Sequence, residues 1–244
     1  MMKKKTRLLV AILGVPVLII CVFMALSVII MRNEFRDMDV LETAEIIDGV
    51  YAVHGNQANM YLVRTGDYFI AIDAGDNAGH VKTELEKINV HPERIAAVFL
   101  THSDGDHTAA LHLFDRALVY ISEAEEQMIN GKTSRFLLMR NHVDCECRLL
   151  KDNAVVTSTD LNIRTILTPG HTPGSMCYLV NDSCLFTGDL LRLKEGKAAV
   201  FNAMFNMDSE RSRASLRKIR DLRHVKYLFT GHYGYTDDFQ HIFE

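Results

Sequence analysis

The chain has 244 residues, of which 48% are hydrophobic and 24% are charged, as in a globular protein with one sizeable buried core. Its formal net charge is −4 at pH 7. All 31 acidic residues but only 22 of the 27 basic residues lie in residues 33–244, so this part carries a net charge of −9. Nucleic-acid binding needs a basic surface, so no nucleic-acid partner is expected.

A basic segment and a long uncharged stretch open the chain. Residues 1–7 carry four basic side chains, and residues 8–31 contain no charged residue. A helix that crosses a bilayer needs about 20 such residues, so we predict a transmembrane signal-anchor over residues 8–31. A cleaved signal peptide is the alternative, but its apolar region is usually only about 7–15 residues long.

The charges that flank this stretch predict its orientation. All charged residues in the segment before it are basic, whereas the residues that follow it include both acidic and basic side chains. The positive-inside rule places a basic flank in the cytoplasm. We therefore predict a single-pass protein of the cell membrane with a cytoplasmic segment at 1–7, a linker at 32–43 and an extracytoplasmic domain at 44–244.

Short strands and helices alternate through the predicted domain. Residues 45–54 and 60–72 are rich in Val, Ile, Tyr and Phe and are broken by Gly-Asn and Gly-Asp pairs, which predicts a strand meander. Apolar residues at helical spacing predict a helix over 77–88 with Asn77 as its N-cap. The other predicted strands are 95–100, 118–121, 148–150, 154–156, 161–167, 176–180, 184–186 and 227–229. Residues 108–114 are predicted to be helical, 122–128 and 135–139 to be helical or irregular, and Asp208 to be the N-cap of a helix that ends at about residue 220. This order predicts a mixed α/β (α+β) fold with two central sheets and outer helices.

The four cysteines outside the uncharged stretch fall into two pairs. Cys145 and Cys147 are too close in sequence for an ordinary structural disulfide. A two-residue turn at 181–182 would place Cys177 and Cys184 on one sheet face but diagonal to each other, about 7–8 Å apart. Both pairs are therefore expected to be buried or free thiols, with the fifth cysteine, Cys21, inside the uncharged stretch.

Four residues able to bind a metal follow the predicted strand 95–100: His102, Asp104, Asp106 and His107, here called the tetrad. The first three alternate along a segment expected to be extended, which would send their side chains to one side. His107 follows where the chain must turn into a helix. Imidazole and carboxylate groups are ligands for Zn, Fe or Mn, although Asp, His and Ser also occur together in ordinary polar turns.

Three more strand ends repeat this arrangement. His171 follows the strand 161–167 in a Pro-Gly-His-Thr-Pro-Gly loop, Asp189 follows the strand 184–186, and His232 follows the strand 227–229. Each strand delivers one potential ligand at its tip after a glycine. Any one of them alone could be structural, but the repetition predicts a shared metal site.

The tetrad together with His171, Asp189 and His232 resembles the metallo-β-lactamase superfamily motif H-x-H-x-D-H…H…D…H. The segment Ala-Ile-Asp-Ala-Gly that contains Asp73 also resembles an early strand-end motif of that family. The resemblance covers about residues 44–233 and implies a four-layer αββα sandwich with a dinuclear metal site. It implies one assignment of the ligands: the first metal by His102, Asp104 and His171; the second by Asp106, His107 and His232; and a bridge by Asp189.

Asp104 departs from this pattern, because the family usually has histidine at the corresponding position. A carboxylate adds negative charge and hardens the ligand set, which moves metal preference toward Fe or Mn. We expect two divalent ions, with zinc favoured and iron or manganese as alternatives. Flavodiiron proteins of similar fold have a glutamate there, but they also carry a flavodoxin-like domain for which this chain has no length.

The resemblance implies a metallo-hydrolase. A hydroxide that bridges two metal ions would attack an ester, thioester, lactone, amide or phosphoester of a small molecule, with Asp106 as the catalytic residue. Two alternatives remain open: a di-iron redox enzyme on the same ligands, and a metal-dependent binding or sensory module with low turnover. The sequence indicates neither the substrate nor the oligomeric state.

Overall fold

The computed structural model describes residues 2–135, 140–143, 145–158 and 160–244, with side chains from residue 15 onward. The predicted segment 135–139 lies outside the described residues except for its first position. The chain divides into two compact units, Met1–Met38 and Asp39–Glu244.

The first unit is the helix α1 (Met2–Asp37), which contains the predicted stretch 8–31. Within it, Val15–Asp37 is long and apolar enough to cross a membrane, by length and composition. A signal sequence near an N-terminus would satisfy the same criterion.

Two β-sheets form the centre of the second unit. The first has seven strands in sequence order: β1 (Ala44–Ile47), β2 (Val50–Val53), β3 (Met60–Thr65), β4 (Tyr68–Ile72), β5 (Ile95–Phe99), β6 (Leu118–Ser122) and β7 (Cys147–Leu150). The second begins with β8 (Val155–Ser158), β9 (Leu161–Leu167), β10 (Met176–Val180) and β11 (Cys184–Phe186). A small hairpin, β12 (Leu191–Lys194) and β13 (Lys197–Val200), precedes its last two strands, β14 (Tyr227–Phe229) and β15 (Tyr235–Thr236).

Apolar side chains from both sheets meet in one core. Ile70 and Phe99 of the first sheet and Tyr178 and Phe186 of the second sheet belong to the same buried cluster. The outer face of the first sheet packs against α2 (Ala78–Lys87), and the outer face of the second packs against α5 (Ser209–Arg220). Two short helices, α3 (Gly105–Thr108) and α4 (Glu126–Ile129), come between them in the chain. The predicted four-layer sandwich, with helices outside two sheets, is therefore confirmed.

Both predicted N-caps of the main helices are confirmed. The Asn77 side chain accepts a hydrogen bond from the backbone N–H of His80 at the start of α2. The Asp208 carboxylate accepts from the backbone N–H groups of Glu210 and Arg211 at the start of α5. Each cap satisfies donors that the first helical turn leaves without partners.

The predicted register of Cys177 and Cys184 is wrong. Val180 pairs directly with Cys184, so the β10–β11 turn has three residues rather than two. The extra residue changes the parity of the register and sends the two side chains to opposite faces of the sheet. Cys184 joins the core between the sheets, whereas Cys177 joins the cluster under α5. At the other pair, the Cys145 and Cys147 sulfur atoms lie 3.4 Å apart.

Candidate metal centre

The tetrad follows strand β5 and turns directly into the short helix α3 (Gly105–Thr108). Asp104 is the N-cap of this helix, and the backbone N–H of His107 donates to the Asp104 carbonyl at 3.0 Å. The prediction that Asp106 continues an extended segment is therefore wrong, because the helical turn begins one residue earlier. The turn buries His107 completely and leaves the Asp106 side chain 26% exposed.

The other ligand candidates lie at the tips of strands that run in the same direction: His171 after β9, Asp189 after β11 and His232 after β14. Glycine precedes each of them because the loops approach closely, and a Cβ on Gly170 would lie 2.2 Å from Ser212 Oγ. A Cβ on Gly188, whose φ is +50°, would lie 2.5 Å from Thr101 Oγ1. A Cβ on Gly231 would lie 2.4 Å from Asp189 Oδ1. The small residue before each ligand thus allows the loops to converge.

The structure brings all seven ligand candidates together in overlapping groups. The first group is His102, Asp104 and His171, and the second group is Asp106, His107 and His232. A third group, His102, His107 and Asp189, overlaps both. Within each group the candidate ligand atoms all lie within 4.8 Å of one another. Their assignment to individual metal ions remains a prediction.

Asp189 faces ligands of both groups with one carboxylate. Its Oδ2 atom lies 3.3 Å from Nε2 of His171 in the first group and 3.1 Å from Nε2 of His232 in the second. Its Oδ1 atom lies 3.3 Å from Nε2 of His107. This placement is the one that a bridging carboxylate needs.

Three buried polar atoms face this space without a hydrogen-bond partner among the described residues. They are Nε2 of His102, Nε2 of His107 and Oδ1 of Asp189. Buried polar atoms without partners are rare, because each costs about 1–3 kcal/mol. A divalent cation would satisfy all three, and imidazole and carboxylate groups are suitable donors for it. The residues present therefore fit a metal centre.

The carboxylates and imidazoles shift one another's pKa. Burial alone would lower the pKa of His107, but Asp189, Asp73 and Asp106 together raise it well above its ordinary value. Burial would raise the pKa of Asp189, but His232, His107 and His171 hold it well below its usual range. The site thus concentrates negative charge that a cation would neutralise.

Hydrogen bonds at Nδ1 orient two of the histidines. The Nδ1 atom of His107 lies 2.8 Å from Oδ2 of Asp73, whose Oδ1 accepts from the backbone N–H of Thr101 at 2.7 Å. The Nδ1 atom of His232 lies 2.7 Å from the carbonyl oxygen of Gln57. A donor at Nδ1 leaves the Nε2 lone pair free for a metal, as is usual for metal-binding histidines.

Glu125 connects the loops of the first group, a role that no sequence pattern indicated. Its carboxylate is fully buried and accepts from the backbone N–H and hydroxyl of Ser103, at 3.1 and 2.6 Å. It also accepts from the hydroxyl of Thr172 at 2.7 Å and the backbone N–H of Gly174 at 2.9 Å. These bonds hold the His102 loop and the His171 loop against each other.

Asp104 has two further partners that sequence reasoning missed. Arg135 Nε lies 2.9 Å from Asp104 Oδ2, and Asn141 Nδ2 donates to Asp104 Oδ1 at 2.8 Å. Burial would raise the pKa of Asp104, but His102 and His171 hold it well below its usual range. A buried carboxylate indicates a nearby cation, yet the pattern of residues did not indicate which of the many basic side chains supplies it.

Phe201 forms an apolar wall beside both groups. Its ring centroid lies 5.3 Å from that of His171 and 5.5 Å from that of His232, and the residue is only 3% exposed. The segment that follows it includes Met204, which is 38% exposed. The Phe201 ring thus packs beside one histidine of each group.

Comparison with known families shows to which family this chain belongs. The sequence profile of the metallo-beta-lactamase superfamily matches residues 54–127 and 149–232, which contain all seven ligand candidates. The chain belongs to the metallo-β-lactamase superfamily. The αββα sandwich found in the structure is the fold that the sequence resemblance implied.

Individual members of the superfamily resemble the chain more modestly. A probable polyketide biosynthesis zinc-dependent hydrolase of Bacillus velezensis is 29% identical over 59% of this chain and 62% of its own length. An atrochrysone carboxyl ACP thioesterase of Aspergillus fumigatus is 28% identical over 75% of this chain and 52% of its own length. The chain thus matches about half to two thirds of these relatives' length.

Solved structures of the superfamily share the fold. A metallo-β-lactamase of Cronobacter sakazakii superposes with a TM-score of 0.64 at 22% sequence identity. The superposition covers 80% of this chain and 79% of the other.

Proposed function

We propose that this metallo-β-lactamase superfamily member is a membrane-anchored, metal-dependent hydrolase of small molecules that contain an ester, thioester, lactone, amide or phosphoester bond. The observation that supports it best is the Asp189 carboxylate, which faces the first group with one oxygen and the second group with both. Two divalent ions, zinc by preference, complete the proposal.

Metal ions bound at these groups would supply a nucleophilic water at neutral pH and polarise the scissile carbonyl or phosphoryl oxygen. Asp106 is the most exposed of the seven ligand candidates, with its Oδ2 atom 3.5 Å from His232 Nε2 and 3.6 Å from His107 Nε2. Its carboxylate can therefore hold a proton of the attacking water while the buried histidines stay fixed.

Thioesters are the first substrates to test within this class. The Aspergillus fumigatus relative is described as an acyl-carrier-protein thioesterase, and the Bacillus velezensis relative as a zinc-dependent hydrolase. Acyl thioesters, lactones, β-lactams and phosphodiesters together cover the bond types that such a site would attack.

The first test measures turnover of this panel by the full chain in detergent, after loading with zinc, iron or manganese. We expect hydrolysis of at least one class, and a loss of roughly 10²-fold or more in Asp106→Asn, which keeps the shape but not the charge. Asp115→Asn, away from the tetrad, is the matched control. If no substrate of the panel is hydrolysed while two metals are bound, a binding module is favoured. Tightly bound iron together with oxygen consumption would favour redox chemistry.

The second test concerns the membrane arrangement. The four basic residues before residue 8 and the uncharged stretch in α1 support an anchor with a cytoplasmic N-terminus. Protease added to cells with permeabilised outer layers and an intact membrane should digest the domain, while a cytoplasmic protein stays intact as the control. Digestion of the domain only after lysis would contradict the orientation.

A further inference from the structure

The guanidinium of Arg135 lies among the ligands of the first group. Its Nε atom is 2.9 Å from Asp104 Oδ2, and its Nη2 atom is 2.8 Å from Nε2 of His171. The Arg135 side chain is only 7% exposed. The Oδ2 atom and the Nε2 atom that it contacts are two of the three atoms through which the first group would hold a metal ion.

Neutral backbone groups fix the guanidinium in this position. Its Nη1 atom donates to the carbonyl oxygen of His171, and its Nη2 atom donates to the carbonyl oxygen of Phe205 at 2.6 Å. The planar fork of an arginine presents five N–H donors in a fixed geometry, so it can make these bonds together with the ion pair to Asp104. The arginine therefore has a built position in the site, supported by the His171 loop and by the segment that contains Phe205.

The charges explain why Asp104 suits this position and an imidazole would not. A nearly buried guanidinium needs an anionic partner, because an uncompensated buried charge is strongly destabilising. Asp104 supplies that charge at ion-pair distance. A metal ion and the guanidinium, both positive, would repel each other if they shared Asp104 and His171.

We propose that Arg135 and a divalent metal ion are mutually exclusive occupants of the first group. In this view, which rests on the proposed metal-dependent function, the second group binds its ion more tightly, and the first group fills only when the guanidinium leaves. Arg135 thereby determines the metal occupancy of the centre at a given metal concentration.

Metal titration of the chelator-stripped full chain in detergent tests this proposal without using activity. Calorimetry with Zn²⁺ should resolve a tight site and a weaker site in the wild type. Arg135→Gln should tighten the weaker site by roughly tenfold or more, the scale on which groups around a metal site change its affinity. Arg64→Gln is the matched control, because Arg64 pairs with surface carboxylates elsewhere. His171→Ala should abolish the weaker site, and His232→Ala the tight one.

Thermal melting gives a second readout. Metal-free Arg135→Gln should melt below the metal-free wild type, because Asp104 loses its counter-charge, and excess Zn²⁺ should raise its Tm by more than it raises that of the wild type. Arg135→Lys, checked for folding by circular dichroism, should change zinc affinity in the same direction but less.

If the weaker Zn²⁺ site of Arg135→Gln binds zinc no more tightly than that of the wild type, the proposal is overturned. Arg135 would then either orient Asp104 for the metal or play no part in metal binding. Absence of zinc binding at both groups of the wild type would instead overturn the proposed function. Zinc binding without hydrolysis would also count against the hydrolase while leaving the competition between arginine and metal intact.

Discussion

Replacing Asp189 with alanine should weaken metal binding at both groups together and lower turnover by more than about 10³-fold. Loss of one oriented catalytic interaction commonly costs about 10²–10³ in rate, and this carboxylate faces ligands of both groups. The buried imidazoles that it contacts would then lose their shared anion. Metal content per chain after dialysis and turnover on the best substrate measure the two effects.

Single replacements in the two groups provide the comparison. His171→Ala should weaken mainly the metal of the first group, and His232→Ala mainly that of the second. Circular dichroism should show an unchanged fold in all three variants, because the residues lie in short segments beyond the strand ends rather than within the sheets. If Asp189→Ala keeps both metals and is no slower than His171→Ala, the bridging assignment fails.

The Asp73→Asn substitution should weaken metal binding at the second group without removing any ligand candidate. The asparagine oxygen can still accept from Thr101, but its amide then faces Nδ1 of His107 with a second donor. His107 would have to carry its proton on Nε2, the atom that faces the site. We expect metal affinity at the second group to fall about 10–100-fold, as when other groups that orient ligands are lost.

Equilibrium dialysis with Co²⁺ measures the effect of Asp73→Asn on metal affinity. Denaturant unfolding of the metal-free chain measures its effect on stability. The unfolding free energy should fall by about 1–3 kcal/mol, the cost of buried donors without an acceptor. Asp48→Asn at an exposed surface position is the control for charge removal. Retention of the second-group metal at wild-type affinity would show that Asp73 does not set the His107 tautomer.

Strands with a clear apolar pattern were predictable from the sequence. The bounds predicted for β9, β10, β11 and β14 agree with the structure, because β10 and β11 are fully buried apolar runs, β9 begins with alternating buried and less buried residues, and all four end at turn residues. The β12–β13 hairpin was missed, since its charged residues at 192, 194, 195 and 197 resemble a loop. Its two-residue turn consists of Glu195 and Gly196, both with positive φ. The glycine was the available signal in the sequence.

The ligand candidates were more predictable than the residues that support them. A histidine or aspartate at a strand tip is a local pattern, visible in a few neighbouring positions. Glu125 and Arg135 act through contacts made 36 to 49 positions away, at Thr172, Gly174 and His171. Nothing local distinguishes them from surface charges, so only the three-dimensional structure identifies them.

The ligand candidates extend from residue 102 to residue 232 and follow the ends of strands of both sheets. Contacts between such distant positions form late in folding, because a long stretch of chain must be ordered before they are made. The complete centre therefore forms only after both sheets have folded. An ion held by candidates from both sheets would be taken up where folding finishes, from the ions available in that compartment.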